Sequence, residues 1–567
     1  LHALEWNPGL LKRARYVVFE GTSAEGALRI ATVTVVVLGL WLRSRGFVFS
    51  TFSLWLDEAA WAMRLMDDRL LDDLIRPIGF MAVTRALAQV FGPSETVLRL
   101  LPWCAGVGAT LIAPALSERL FRSRGARLLF VAVVALDPAA IDLSKEFKPY
   151  SVGLALHLSL VLLALRYCES GKSRDLAGVL VVACGSVLFA QDVMFAYPGL
   201  FLVLAISALR SRRFRHLFAV GFAGAIALVV VVSLYVFVWS RLDGGKEESY
   251  WGKKYDVFYV PTRTKEDKTD WTAGHYAQIA AMPGSRRSLW ESKRYDASKI
   301  AELRSLDVIL WVLLHVAGLT VILRTRRLRE ALLVVLPLFV TMAFNVCGFW
   351  PFGEFRTNLF VLGYAAAIAA FSIERKAERG RWEDLIPAGV LVLVPLFVFE
   401  RSWHRNKEIK ASMSLDVPGA MKALVRLQKG SYPGHPEKLI ADQYTCPPWQ
   451  YYMRYHPTFS RTIGATLEER FQLKCPKGNA RTLLSAARKE LRKGQDRVWI
   501  VAGKGSMMRA LEHAWPDDLE QVERRTVGRG GHLLLAASKK AAPEPIAAPE
   551  PEPEPDTEAL GPVFPGQ

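Results

Sequence analysis

The sequence predicts a polytopic α-helical membrane protein with about eleven transmembrane helices and a C-terminal extracytoplasmic α/β domain. Two observations carry that expectation. Hydrophobic residues make up 51% of the 567, and they come in blocks that lack the polar residue every third or fourth position that a soluble helix needs. Between the blocks, Lys and Arg collect in alternate connections, the pattern of the positive-inside rule. Several blocks approach the roughly 20 residues that cross about 30 Å of hydrocarbon, among them 27–41, 127–141, 216–239, 306–323 and 331–346.

In chain order the blocks place spans at 27–44, 97–118, 127–142, 151–167, 176–190, 194–209, 217–240, 307–323, 331–347, 359–373 and 384–400. The segment before the first span carries Lys12, Arg13 and Arg15. Every even span is followed by a basic cluster: Arg119/Arg122/Arg124/Arg127, Arg166/Lys172/Arg174, Arg210/Arg212/Arg213/Arg215, Arg324/Arg326/Arg327/Arg329 and Arg375/Lys376/Arg379/Arg381. These loops and the N-terminal segment 1–26 therefore belong to the cytoplasm of a multi-pass plasma (inner) membrane protein. The net charge of +18 has the same origin and does not mark a nucleic-acid binder. No cleavable signal pattern with a small-residue site is visible. Cys104, Cys184 and Cys347 lie in or beside apolar blocks and read as packing residues. No CxxC metal signature is present.

This topology puts 45–96, 143–150, 191–193, 241–306, 348–358 and everything after 401 outside. The first outer loop reads Ser53-Leu54-Trp55-Leu56-Asp57-Glu58-Ala59-Ala60-Trp61. An acidic pair there can be a solvated loop charge or a helix N-terminal acid. Its position between Trp55 and Trp61, which prefer the headgroup zone, also suits a partly desolvated general base. Residues 76–91 have helical amphipathicity, are too short to span, and should lie in the interface. The second outer loop, Ser144-Lys145-Glu146-Phe147-Lys148-Pro149-Tyr150, either snorkels at the surface or offers a carboxylate and cations to a phosphate-bearing ligand. In Phe349-Trp350-Pro351-Phe352-Gly353-Glu354-Phe355-Arg356-Thr357-Asn358, Arg356 is a membrane-edge anchor or a bidentate phosphate holder. Asp192 is a further acid at the outer end.

The Trp-Leu-Asp-Glu-Ala stretch, Phe91-Gly92-Pro93-Ser94-Glu95 with Leu98-Arg99-Leu100, the 144–151 segment and the 350–356 segment resemble, in that order, the bacterial branch of glycosyltransferase family 39 in the GT-C superfamily. That branch is related to the protein O-mannosyltransferases and the lipid A aminoarabinose transferase. The resemblance covers roughly 30–400, a GT-C-like transmembrane module 27–400. It implies a membrane glycosyltransferase that moves a sugar from a polyprenyl-phosphate donor to an envelope acceptor hydroxyl on a protein, lipid or glycan, usually with inversion. It implies Asp57 as the catalytic carboxylate with Glu58 beside it and Glu146 in the charged loop. Lys148 and Arg356 would hold the donor phosphate, and Tyr150 and Glu354 would contact substrate. Some relatives use a divalent metal ion, but no ligand spacing here marks a site for one. The segment Arg76-Pro77-Ile78-Gly79-Phe80 replaces the family's Gln-x-x-Pro version.

In the long outer loop 241–306, Trp251, Tyr255, Tyr259, Trp271 and Tyr276 can stack on a sugar or anchor at the interface, and the loop reads as a cover for the site. Residues 401–540 read as soluble α/β, with helices at 417–428 and 507–514 and strands at 438–441, 498–502 and 532–537. Val501-Ala502-Gly503-Lys504-Gly505 lacks P-loop spacing and reads as a strand–turn–helix. Cys446 and Cys475 lie outside the cytoplasm by this topology, where a disulfide can form. The Pro-Glu repeats of 541–567 read as a disordered tail. Two other classes fit a polytopic chain. A transporter or flippase of a lipid-linked substrate would bury ionisable residues mid-span, and the spans look nearly free of charge. A non-catalytic envelope scaffold would leave the loop carboxylates without a role.

Overall fold

The structure is a computed structural model. It describes residues 24–45, 47, 53–67, 76–237, 276, 280, 306–347, 349–351, 357–374, 416–427, 437–503, 505–527 and 531–538. The N-terminal half is helical: α1 Ala24–Ser44, α2 Leu56–Met66, α3 Ile78–Phe91, α4 Leu100–Leu120, α5 Arg124–Leu136, α6 Pro138–Leu143, α7 Tyr150–Ser170, α8 Ser173–Ser186, α9 Tyr197–Arg210 and α10 Phe214–Phe237. After the long loop come α11 Leu306–Arg324, α12 Leu336–Val346 and α13 Val361–Phe371.

Among the described residues six helices are long and apolar enough to cross a membrane: Glu25–Ser44, Leu100–Leu120, Tyr150–Ser170, Gln191–Arg210, Phe214–Phe237 and Leu328–Val346. The expected spans at 307–323 and 359–373 are shorter apolar helices, Ile309–Arg324 and Val361–Phe371. The expected span 127–142 is broken in two. Pro138 has no N–H to continue the helix, and Asp137 accepts the Ala140 N–H at 2.8 Å to start a new one. The span expected at 384–400 lies outside the described residues.

Large apolar side chains point outward along α10, where Phe214, Phe218, Phe222 and Val229 are all exposed. A water-soluble bundle would bury that face. The same physics corrects the cysteines: Cys104 and Cys347 are exposed on the bundle and are not packing residues. An apolar block in a membrane helix need not face protein.

The two ends of the bundle differ in chemistry. At one end Glu25 pairs with Arg124 (3.0 Å), Arg119 with Glu169 (3.3 Å) and Arg327 with Glu374 (2.9 Å). Glu374 also accepts the Arg122 and Ser123 N–H groups. All of these residues sit in, or border, the connections that the basic pattern groups on one side. At the other end of α1, Arg43 donates to the Val134 carbonyl at 3.0 Å and to Ala135, so that α1 and α5 run parallel. Gly39 permits that approach, because a Cβ there would meet the Ala135 carbonyl oxygen at 2.7 Å.

The spans carry more ionisable groups than their sequence suggested. Arg43, His157, Asp192 and His315 are all buried within them. Three of the four have a local explanation. Arg43 caps α5, His157 Nδ1 meets Tyr364 Oη at 2.7 Å while stacking on Phe360, and His315 Nδ1 meets Tyr276 Oη at 2.7 Å.

The C-terminal half holds α14 Val417–Leu427, β1 Glu437–Ala441, α15 Cys446–Arg454, α16 Ala465–Arg470, β2 Phe471–Lys474, α17 Ala480–Arg492, β3 Arg497–Ala502, α18 Gly505–Ala514, β4 Leu519–Val527 and β5 Gly531–Ser538. The strands form one sheet in the order β2-β1-β3-β5-β4, parallel from β2 to β3 and antiparallel beyond. Strands β2 and β4 went unread in sequence. β2 is only four residues, and β4 carries a bulge at Gln521/Glu523 that interrupts its alternation. Along β1, β3 and β5 the side chains alternate between two cores. Ile440, Ile500 and Leu534 pack with Leu483 and Leu484 of α17. Leu439, Val501 and Leu535 face the other way, into the same buried cluster as Trp449, Tyr452 and the helical bundle. A disulfide joins Cys446 at the start of α15 to Cys475 after β2, Cα–Cα 5.8 Å.

Candidate functional site

The Asp57-Glu58 pair lies in the first turn of α2, where acids suit the helix dipole. The two carboxylates have separate fates. Glu58 is fully buried. Its oxygens accept Arg99 Nε at 2.9 Å and Arg99 Nη2 at 2.5 Å, and Oε1 also accepts the Phe147 N–H at 2.6 Å. Three separate segments are thereby tied at one carboxylate: α2, the turn before α4, and the second outer loop. Asp57 is partly exposed and lies within electrostatic range of Arg76.

Beside Asp57 stands Trp61, one α-helical turn along. Lys148 Nζ lies 3.9 Å from its ring centroid and the Arg76 guanidinium carbon 4.7 Å. Such cation–π placements hold a cation without neutralising it. Phe80 and Phe147 meet Trp61 edge-on at 6.3 and 6.1 Å and stack on each other at 5.6 Å. The first turn of α3 is fixed by the Gly79 N–H donating to the Leu188 carbonyl at 2.7 Å. Burial, and then the like charge of Arg64, pushes Arg76 down to about 9, with Asp57 opposing.

The remaining sequence candidates are distributed as follows. Glu146 and Lys148 are buried in the second outer loop, and Tyr150 is half-buried at the start of α7. Lys145 of the same loop caps α1, donating to the Leu42 and Arg45 carbonyls at 2.8 and 2.9 Å. Glu354 and Arg356 lie outside the described residues, as do Trp251, Tyr255, Tyr259 and Trp271. The residues flanking 352–356 are tied together: Asn358 Nδ2 donates to the Pro351 carbonyl at 2.7 Å, and Trp350 Nε1 donates to Asn358 Oδ1 at 3.0 Å. Asp192 is buried near Gly153, where a Cβ on Gly153 would collide with its carboxylate. Among the described residues no group of three or more His, Cys, Asp or Glu side chains is placed to hold a metal ion.

Sequence reading assigned no role to a second cluster beside the first. Glu95 Oε1 accepts the Tyr452 hydroxyl at 2.6 Å, and Glu95 Oε2 meets His456 Nε2 at 3.0 Å. His456 Nδ1 accepts the Thr458 and Phe459 N–H groups at 3.3 and 3.2 Å, which leaves the ring proton on Nε2, facing Glu95. Burial alone would raise Glu95. The His456 and Tyr452 hydrogen bonds outweigh it and hold the carboxyl below 4.5. A depressed carboxyl contributes stability that is complete above 4.5 and is lost as pH falls through the lowered value. Docking of α15 should therefore loosen as the pH falls through the lowered Glu95 value, below 4.5. The near-ultraviolet circular dichroism of the full chain in detergent should show that step, and Glu95→Gln should abolish it; a step that persists in Glu95→Gln would assign it elsewhere.

Residues 75–237 match the sequence model of the dolichyl-phosphate-mannose-protein mannosyltransferase family. Over that stretch, less than half of the chain, the sequence is related to this glycosyltransferase family. The matched stretch holds Arg76, Glu95, Arg99, Glu146, Lys148 and Tyr150 and begins after Asp57. No curated protein matches the chain in sequence. Similar solved structures include the ArnT of Cupriavidus metallidurans bound to undecaprenyl phosphate, at 13% identity and TM-score 0.46, covering 91% of this chain and 99% of that one. The apo state of ArnT gives 13% identity, TM-score 0.48 and coverage of 92% and 100%. The oligosaccharyltransferase AglB of Archaeoglobus fulgidus, in complex with an inhibitory peptide and a dolichol-phosphate, gives 12% identity, TM-score 0.40 and coverage of 83% and 69%.

Proposed function

We propose that the chain transfers a sugar from a polyprenyl-phosphate donor to an acceptor hydroxyl, with Asp57 as the general base at the extracytoplasmic end of the bundle. One observation carries the reading: Asp57 is a partly exposed carboxylate on a helix turn locked by Glu58 and Arg99, with Arg76 and Lys148 held against Trp61 beside it. Transfer with inversion needs a base on one face of the anomeric carbon and cations on the leaving phosphate. This cluster offers both, at the end opposite the basic connections. Glu58 is reassigned in this reading. Its two oxygens are held by Arg99 and the Phe147 N–H, so it positions Asp57. Lys148 keeps the phosphate-holding role, and Arg76, which sequence reading treated as a departure, joins it. Glu146, Tyr150, Glu354 and Arg356 remain candidates for the substrate side, and residues 401–540 an extracytoplasmic module.

A direct test is transfer by the reconstituted full chain from a panel of radiolabelled polyprenyl-phosphate-linked sugars, mannose first, with mass spectrometry of envelope glycans from cells with and without the gene. Donors left intact, together with unchanged glycans, would defeat the proposal. Within that assay Lys148→Met should raise KM for the donor about tenfold, the worth of one charge-assisted contact. A change confined to kcat would move Lys148 out of donor binding. The buried His157 and Asp192 give some support to the transporter reading. Asp192 lies at the start of its helix, and His157, although close to mid-helix, is matched by Tyr364, which suits a structural polar contact better than a path through the bundle.

A further inference from the structure

We infer that the C-terminal module is a working part of this site, with helix α15 clamping both ends of the helix that carries Asp57 and Tyr452 as the positioning residue. The inference rests on the proposed role of Asp57 for its catalytic meaning, but its geometry stands alone. Ahead of α2, the Leu54 N–H donates to the Tyr452 hydroxyl at 3.0 Å, three residues before Asp57. Past the other end of α2, Tyr455 Oη donates to Asp67, the residue that caps it. Tyr452 is fully buried, and its hydroxyl accepts from Leu54 while donating to Glu95. Burial and the Glu95 charge push its phenol well above the ordinary value, so it keeps its proton.

The clamp is continuous with the ion pair below it. Arg99 Nη2 reaches the Ser53 carbonyl at 3.4 Å while its guanidinium holds Glu58. Ser53 and Leu54 are thus held in sequence, one from the membrane bundle and the next from the C-terminal module. Glu95 belongs to both networks, because the Arg99 N–H donates to its carbonyl and its carboxylate holds Tyr452 and His456. Tyr451 adds a hydrogen bond to the Pro93 carbonyl. The Cys446–Cys475 disulfide ties the start of α15 back toward the sheet. A base held this way loses little reorganisation on the way to the transition state, and a displacement of about 1 Å can cost about a hundredfold in rate.

The test uses the full chain in lipid nanodiscs. In Tyr452→Phe, which keeps the ring and removes the hydroxyl, hydrogen exchange of the peptide containing Leu54 should quicken about tenfold, while strand β5 stays protected. Glu95→Ala should do the same, and Glu95→Gln, which keeps an oxygen for the Tyr452 hydroxyl, should restore much of the protection. In transfer from polyprenyl-phosphate mannose, Tyr452→Phe should lower kcat about tenfold with KM for the donor unchanged. Unchanged exchange at Leu54 in Tyr452→Phe and Glu95→Ala overturns the clamp. Quickened exchange in a chain whose wild type transfers no sugar leaves the clamp standing and defeats the proposed function. Quickened exchange with a wild-type kcat in Tyr452→Phe removes the positioning role.

Discussion

Replacing Asp57 by Asn should lower sugar transfer about 10²- to 10⁴-fold, the range that a positioned general base contributes, while the chain still inserts and folds. The substitution is close to isosteric. Glu58 and not Asp57 bears the contacts that tie α2 to Arg99 and Phe147, so the architecture should survive. The measurement is kcat in reconstituted membranes, accompanied by the Leu54 exchange rate as a control on the turn. A variant with wild-type kcat would remove Asp57 from the chemistry. A variant with low kcat and quickened exchange at Leu54 would assign the loss to a disturbed turn.

The second large effect is on stability. Arg99→Met should destabilise the chain by about 3–5 kcal/mol, because it leaves the Glu58 charge buried without its partner. Arg99 and Glu58 side chains are 8% and 0% exposed, so solvent cannot take over the lost contact. Removing both charges, as Arg99→Met with Glu58→Met, should recover much of the loss, since a buried pair replaced by apolar groups is often neutral. The melting temperature of the full chain in detergent, measured through the double-mutant cycle, checks this. A double variant that loses the sum of the two single losses would mean the pair is not coupled. The double variant should still be impaired in transfer, because the Arg99 and Phe147 contacts that lock the turn bearing Asp57 are then gone.

Most of the helical fold was legible because membrane helices announce themselves one at a time. Block length and charge bias are local, and they placed 97–118, 151–167, 194–209 and 217–240 close to described helices. They misjudged 127–142, where Asp137-Pro138 is a stop written in two residues, and the exposure of Cys104, which depends on neighbours. The site was legible in part for the same reason. Asp57, Glu58 and Lys148 stood out as charges beside apolar spans. Which of the two acids is saturated depends on Arg99, 41 residues away, and on the Phe147 N–H, 89 away, so no local pattern could reveal it. Glu95, Tyr452 and His456 were quieter still. A Tyr-Tyr pair in a soluble module has no periodicity that points to a carboxylate some 360 residues earlier.

The hydrogen bond between the Leu54 N–H and Tyr452 spans 398 residues, and that distance has a meaning in time. A chain elongating at roughly 5–20 residues per second would bring Tyr452 to the ribosome exit about 20–80 s after Leu54. Through that interval the first spans can insert and the Arg99–Glu58 pair can close, yet the turn carrying Asp57 lacks its outer brace. Truncation anywhere before residue 452 would leave a membrane-embedded chain with the acid present and its brace missing. On the proposed topology and role of Asp57, maturation of the base would wait for delivery of the C-terminal module across the bilayer.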